Sequence, residues 1–298
     1  MTAKLDDFIK DPLVLEELIH PRTKLIMVLG GSDSGKTTLI ECLADFLSRQ
    51  GALGVIDLDM GQSHIGPPTT IAWGKIEERF RGWSRVVEND FYFTGTTTPF
   101  GSLLPSVVGA ALITDSARAS CRKVVADTTG LIAEPAGRIL KHYKIDLLSP
   151  DVLISLERSC ELEHILDPFR TIKRPKIFRL TVPERVKAKT VVNRGRYRFE
   201  KMKSYLAGSR LVEVQADKTG VRLTWGPSPR SLAGLKNRVV SFRDERNRDV
   251  ALGIIERTRL KEKALLIRTP MSAGTRFSTI VVGRAVLDTA NSLLINKR

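Results

Sequence analysis

The sequence predicts an α/β protein with a mostly parallel sheet, helices on both faces and a small β-rich C-terminal region. Three observations carry this expectation. The apolar run Leu25-Ile26-Met27-Val28-Leu29 leads into Gly30 to Thr38, GGSDSGKTT, which opens the helical pattern Leu39, Ile40, Leu43, Phe46 and Leu47. Buried-strand runs and helical periods then alternate as far as about Thr181. Beyond Gly208 the texture changes to short β-rich runs separated by turn residues.

Gly30, Gly35, Lys36 and Thr37 meet the pattern G-x-x-x-x-G-K-[ST] in the strand, loop and helix context it requires. A P-loop NTPase fold follows. Glycines let the backbone bend closely round phosphate oxygens, so the amides of Gly31, Ser32, Asp33, Ser34 and Thr38 and the positive helix end can face the anion. Lys36 is expected to neutralise the β- and γ-phosphates of ATP or GTP, and Thr37 to ligate Mg2+. The alternative is a chance glycine-rich turn, which leaves the matched register of strand and helix unexplained.

At 298 residues, 42% hydrophobic, the chain suits one large domain plus a smaller one. We divide it into an N-terminal helical segment (1–22), a P-loop domain with a basic lid helix (23–208) and a β-rich C-terminal domain (209–298). No apolar stretch approaches the ~20 residues of a membrane span, and Met1 to Pro21 carries acids where a signal peptide is basic. The expectation is a soluble, cytoplasmic protein without a membrane partner. Cys42, Cys121 and Cys160 are odd in number and widely spaced within apolar patterns, which predicts buried reduced thiols rather than disulfides or a zinc site. A formal net charge of +15 and a sequence pI near 10.0 make a polyanionic partner, nucleic acid above all, plausible.

Within 1–22, Leu5, Phe8, Ile9, Leu13, Leu15 and Leu18 suggest a short amphipathic helix ending at Pro21. Leu53 to Asp59 reads as a buried strand, and GQSHIGPPTTI after it as a loop at the carboxyl end of the sheet. Asp90 to Phe100 begins as an aromatic strand and breaks into a loop, followed by a helix from Gly101 to Ala119 that tolerates Pro105 near its start. Lys123 to Asp127 is another buried strand. A basic amphipathic helix at about Ala136 to Ile145, a strand at Asp151 to Leu156, a helix at Cys160 to Phe169 and a strand at Lys176 to Thr181 complete the alternation. Val182 to Ala207 is helical and strongly basic, carrying Arg185, Lys187 and Lys189 before Arg194 and Arg198, which share a helix face. Six β-runs lie between Leu211 and Val286. Trp73, Trp83 and Trp225 read as core, and His64 and His142 as polar contacts.

The acids say more than the loop about the chemistry. Asp57 and Asp59, two apart near a strand end, are expected on one side, Asp57 toward metal-bound water and Asp59 as the base for an attacking hydroxyl. The alternative is a pair of strand-end acids that cap the next turn. Asp127-Thr128-Thr129-Gly130 offers the D-x-x-G of a GTPase switch, but the guanine-reading [NT]-K-x-D tetrad is missing downstream.

GGSDSGKTT, DLDMGQSHIGPPTTI, FTGTTTPFG, DTTGLIAEPAGRILKHYKIDLLSPD and RGRYRFEKMKSYL together resemble the polynucleotide 5′-hydroxyl kinase family over roughly residues 23 to 208. The short N-terminus is more similar to its prokaryotic members. The resemblance implies transfer of the γ-phosphoryl of ATP or GTP to the 5′-hydroxyl end of RNA or DNA. Within it, Asp57, Asp59, Gly61 and Gln62 correspond to D-x-D-x-G-Q, with Asp59 as base and Gln62 near metal and acceptor. Thr128, Gly130 and Leu131 correspond to the T-x-G-W clasp over the nucleic acid end, with leucine in place of the stacking tryptophan. Arg194 and Arg198 correspond to the R-x-x-x-R lid that stabilises the transferring phosphate. Loops 62–70 and 94–101, Thr97 included, are expected beside the acceptor. Two other readings stay open: a non-catalytic nucleotide-binding scaffold of an RNA-processing complex, and a GTPase switch.

Overall fold

The structure, a computed structural model, describes residues 4–184, 186, 191–226 and 231–297. Arg185, Lys187 and Lys189 lie outside the described residues, so the expected basic helix is seen from Val191 onward.

Seven strands form the first sheet: β1 (Leu25–Gly30), β2 (Leu53–Leu58), β3 (Thr70–Ile76), β4 (Val87–Phe93), β5 (Lys123–Thr128), β6 (Val152–Glu157) and β7 (Lys176–Thr181), in the order β4-β3-β2-β5-β1-β6-β7. The five strands from β2 to β7 run parallel, while β3 and β4 add antiparallel at one edge. Their side chains alternate between two apolar layers. Ile26, Val28, Val55, Val125 and Ile154 pack with α1 (Pro12–Ile19) and α2 (Lys36–Ser48). Leu25, Met27, Ile56, Ala126 and Leu153 face α3 (Leu103–Ser120), α4 (Ala136–Leu148) and α5 (Glu163–Leu166). Burial on both faces explains why β1 and β2 are apolar throughout most of their length. Each fully buried Leu, Ile or Val contributes about 1.5–3 kcal/mol.

The second sheet contains β8 (Arg210–Gln215), β9 (Gly220–Leu223), β10 (Arg238–Arg243), β11 (Asp249–Arg259), β12 (Ala264–Thr269), β13 (Thr279–Asp288) and β14 (Leu293–Asn296). Its order is β14-β13-β10-β11-β12-β8, with β9 added parallel to β13. Helix α6 (Val191–Tyr205) lies between the sheets, and its Phe199 and Met202 share one apolar cluster with Val28 and with Leu252, Val281 and Leu294. The described residues contain no helix long and apolar enough to cross a membrane.

Several expectations are corrected. Strand β3 lies directly after the glycine-proline loop, where no strand was expected, and β14 adds a seventh strand to the C-terminal sheet. The basic helix α4 does not turn its lysines to solvent: Lys141 and Lys144 are completely buried. Helix α5 is a single turn followed by a 3-10 turn, shorter than Cys160 to Phe169. All three cysteines are free, but only Cys121 is buried, and Cys160 is exposed.

Candidate active site at the carboxyl ends of the strands

The phosphate loop joins β1 to α2. Asp33 and Gly35 hold positive φ angles of 55° and 88°, a conformation glycine adopts without cost and aspartate tolerates. Gly35 caps α2 without a side-chain hydrogen bond, so the first amides of the helix remain for an anion. A cavity of about 340 Å³ opens there, lined by residues 32–38 of the loop together with Asp59, Gln62, His64, Asp127, Thr128 and Gly130. The volume falls in the range of small-molecule sites.

Lys36 Nζ donates to the Gly31 carbonyl at 2.6 Å, and burial pushes its pKa down against the opposing pull of Asp127, Asp59 and Asp33. Thr37 Oγ1 donates to Asp127 Oδ2 at 3.1 Å, while Asp127 Oδ1 is buried without a hydrogen-bond partner among the described residues. Burial pushes the Asp127 carboxyl up to about 6, with Lys36 pulling it back and Asp59 adding to the rise. Asp59 faces the cavity, and its Oδ1 accepts the amides of Gly61 at 2.9 Å and Gln62 at 3.0 Å.

Asp57 behaves differently from the expectation. It lies inside β2, whereas Asp59 lies beyond the strand end, so strand alternation no longer keeps the two carboxylates together. Its oxygens accept the amides of Asp59 at 2.9 Å, of His64, and of Ile65 at 3.2 Å. It is absent from the cavity lining, and burial together with the Asp127 and Asp59 charges pushes its pKa up to about 8. Three loop amides thus hold the Asp57 carboxyl against the loop that follows β2. Asp127, which accepts from Thr37, lines the cavity where Asp57 does not. The signal for it was available: an acid near the end of the buried strand that neighbours β1 in parallel.

Gly130 packs so closely on the phosphate loop that a Cβ there would meet Ser32 Oγ at 2.5 Å and Ser32 N at 2.6 Å. Thr128, Gly130 and Gln62 are therefore gathered at the cavity. Leu131, partly buried, is not in its lining. Neither is Thr97, whose amide donates to Asn296 Oδ1 at 3.0 Å in β14.

Helix α6 leans over the loops with one face. Arg194 pairs with Asp33, and Tyr197 donates from its hydroxyl to the Ser63 carbonyl at 3.1 Å. Arg198 donates from Nε to the Leu294 carbonyl at 3.3 Å and feels the Asp59 charge, though burial, the largest influence, lowers its pKa. Lys201 donates to the carbonyls of Ser63 at 2.7 Å and His64 at 2.9 Å. His64 also stacks beside Trp83, with ring centroids 5.2 Å apart. Sequence reasoning passed over Tyr197 and Lys201, although positions 194, 197, 198 and 201 repeat at helical spacing, and read His64 as no more than a polar contact.

A strand, a glycine-bent loop and an uncapped helix, with lysine, threonine and a strand-end acid converging on one cavity, define a P-loop nucleotide-binding protein. The profile of the mRNA cleavage and polyadenylation factor CLP1 P-loop family matches residues 30–208, more than half of the chain, and the chain belongs to that family. A polyribonucleotide 5′-hydroxyl-kinase of Methanocaldococcus jannaschii is 36% identical over 190 residues, covering 63% of this chain and 52% of that protein. Its counterpart from Pyrococcus horikoshii is 36% identical over 199 residues (66% and 53%), and that from Pyrococcus abyssi 34% over 227 residues (74% and 63%). The chain thus spans about half the length of the first two relatives. Among solved structures, Clp1p in its complex with Pcf11p superposes with a TM-score of 0.72 at 13% identity, over 91% of this chain and 76% of that one, a likeness of fold.

Proposed function

We propose that the protein is a polynucleotide 5′-hydroxyl kinase, which transfers the γ-phosphoryl group of ATP or GTP to the 5′-hydroxyl of an RNA or DNA end. The observation that carries this reading is the position of Asp59. It lies in the same cavity as Lys36 and Thr37, with one oxygen fixed by two loop amides and the other accepting no hydrogen bond among the described residues. The kinases of M. jannaschii and P. horikoshii support the same acceptor class.

Asp59 takes the proton from the acceptor hydroxyl while its oxygen forms a bond to the γ-phosphorus. The bond from γ-phosphorus to the β–γ bridging oxygen breaks, and the nucleoside diphosphate leaves. Lys36 and the α2 amides carry the triphosphate charge, and Arg194 and Arg198 close the site from α6. Magnesium, when bound, would supply charge neutralisation for the triphosphate. The donors fit it: Thr37 and Asp127 would hold it, since Asp127 Oδ1 is a buried carboxylate oxygen lacking a partner, with Asp59 and Gln62 at hand for bound waters. The net charge of +15 favours a nucleic acid acceptor over a small alcohol.

The test is incubation with γ-labelled ATP or GTP, magnesium and a 5′-hydroxyl oligonucleotide. Label is expected on the oligonucleotide end, and both Lys36→Ala and Asp59→Asn should lower transfer by about a thousandfold or more. Release of free phosphate without labelled oligonucleotide would instead favour a switch-type GTPase. Bound triphosphate without turnover would favour a scaffold.

A further inference from the structure

The geometry points to Lys141, a residue of α4 with no solvent exposure, as the positioning residue that sets the acceptor-facing turn 128–131 against the phosphate loop. Its Nζ donates to Thr128 Oγ1 at 2.9 Å and to the Thr129 carbonyl at 2.5 Å. Thr128 Oγ1 in turn donates to the Val28 carbonyl at 2.8 Å, on the strand that leads into the phosphate loop. One residue earlier stands Asp127, which accepts from Thr37, and two residues later Gly130, in contact with Ser32. A single buried amine therefore links α4, the end of β5 and the loop that holds the triphosphate.

Sinking a lysine stem and its amine in a protein interior is costly. A leucine would fill a helix position against the sheet without that cost. What lysine adds is a donor long enough to reach a carbonyl and a hydroxyl that lie beyond the strand end. Lys144, one turn later and equally buried, makes an internal contrast, because its Nζ has no hydrogen-bond partner among the described residues and holds no part of the turn. Burial of an amine on this helix thus does not by itself produce the link.

This inference rests on the kinase reading, in which the turn meets the acceptor end. Removing the donor leaves the Thr129 carbonyl unpaired and lets the turn lift from Ser32, so acceptor binding suffers more than triphosphate binding. The experiment compares the full chain with Lys141→Met and Lys144→Met by steady-state transfer to a 5′-hydroxyl oligonucleotide and by anisotropy of the same oligonucleotide, fluorescently labelled at its 3′ end. For Lys141→Met the acceptor KM is expected to rise about tenfold, with the triphosphate KM changing less than about twofold. Lys144→Met, which removes a buried amine that holds no part of the turn, should leave the acceptor KM unchanged without lowering Tm. Thr128→Val deletes the hydroxyl half of the link and reads the same rise should Lys141→Met fail to fold; combined with Lys141→Met, where that folds, the effects should be less than additive. Equal losses of both KM values in the two lysine variants, or an unchanged acceptor KM in Lys141→Met, would overturn the assignment while leaving the kinase reading intact. A wild-type chain that neither transfers to nor binds the oligonucleotide overturns both.

Discussion

At the scale of single residues, the aspartate inside the phosphate loop is the least expected group, because a carboxylate beside a triphosphate is repelled by it. Its partner is Arg194 on α6, and both side chains are largely shielded from water. The pair joins the phosphate loop to α6, and a triphosphate bound in the loop would compete with Asp33 for the guanidinium. Asp33→Asn should therefore tighten triphosphate binding by about three- to tenfold, read by calorimetry; weaker binding would mean that Asp33 orients the arginine for its ligand. A second residue gives a pH signature away from the cavity. Glu88 on β4 is pushed up to about 7, chiefly by burial and then by Asp90, with Lys201 opposing and Tyr205 also within range. The folded state then binds the Glu88 proton more tightly than the unfolded chain, whose ordinary value is 4.5. Its contribution to stability is full below about pH 4.5 and is lost as pH rises to about 7, beyond which it stays constant. Glu88→Gln should flatten that part of the curve in urea unfolding measured from pH 4.5 to 8. A slope unchanged by the substitution would remove Glu88 as its source.

At the scale of elements, the site is an encounter of three loop ends, and one of its tight joints is Gly130 on Ser32. A methyl group there meets main-chain atoms that cannot swing aside, so Gly130→Ala must separate turn and phosphate loop. Transfer should fall by about a hundredfold, with far-UV circular dichroism unchanged; retained activity would mean that the two loops tolerate the separation. The sequence made β1, α2, β2 and β5 legible because each combines a period with a motif, and Gly30 to Thr38 was readable residue by residue. Strand β3 was hidden because Thr70 to Ile76 follows a run of glycine and proline and carries Gly74 and Lys75, which dilute its apolar signal. That Asp59 lines the cavity and Asp57 does not has another reason. Alternation holds only within a strand, and β2 ends at Leu58, so the loop decides where Asp59 points. The buried lysines of α4 defeated pattern reading altogether, since helical periodicity assigns charged residues to the outer face, and the acceptors that hold Lys141 inside lie on another element. Helix α6 shows the converse: its R-x-x-x-R spacing was visible, but Tyr197 and Lys201 gain meaning only from the carbonyls of residues 63–66 beneath them.

At the scale of the molecule, the C-terminal sheet reaches the site through contacts that no local pattern announces. The Leu294 carbonyl accepts from Arg198, Asn296 accepts from the Thr97 amide, and the Tyr205 hydroxyl at the end of α6 accepts from the Leu252 amide. The deepest of these ties is an ion pair. Arg243 on β10 meets Asp249 on β11 through two hydrogen bonds of 2.7 and 3.1 Å, with side chains 3% and 1% exposed. Asp249 also accepts from the Phe93 amide at 2.9 Å, at the end of β4 just before loop 94–101. One carboxylate thus fixes the arginine within the second sheet and the last residue of the first sheet's edge strand. Removing it strands a buried guanidinium and a buried amide, a loss of about 3–5 kcal/mol for breaking such a pair. Asp249→Ala should lower unfolding free energy by that amount in urea and, at temperatures where the chain stays folded, also raise the acceptor KM through loop 94–101. Loss of stability with acceptor KM unchanged would separate the two, and would mean that the C-terminal sheet supports the fold without shaping the entrance to the cavity. A rise in both would make the sheet part of the acceptor site, joined to it by the same hydrogen bonds that hold α6 over the phosphate loop.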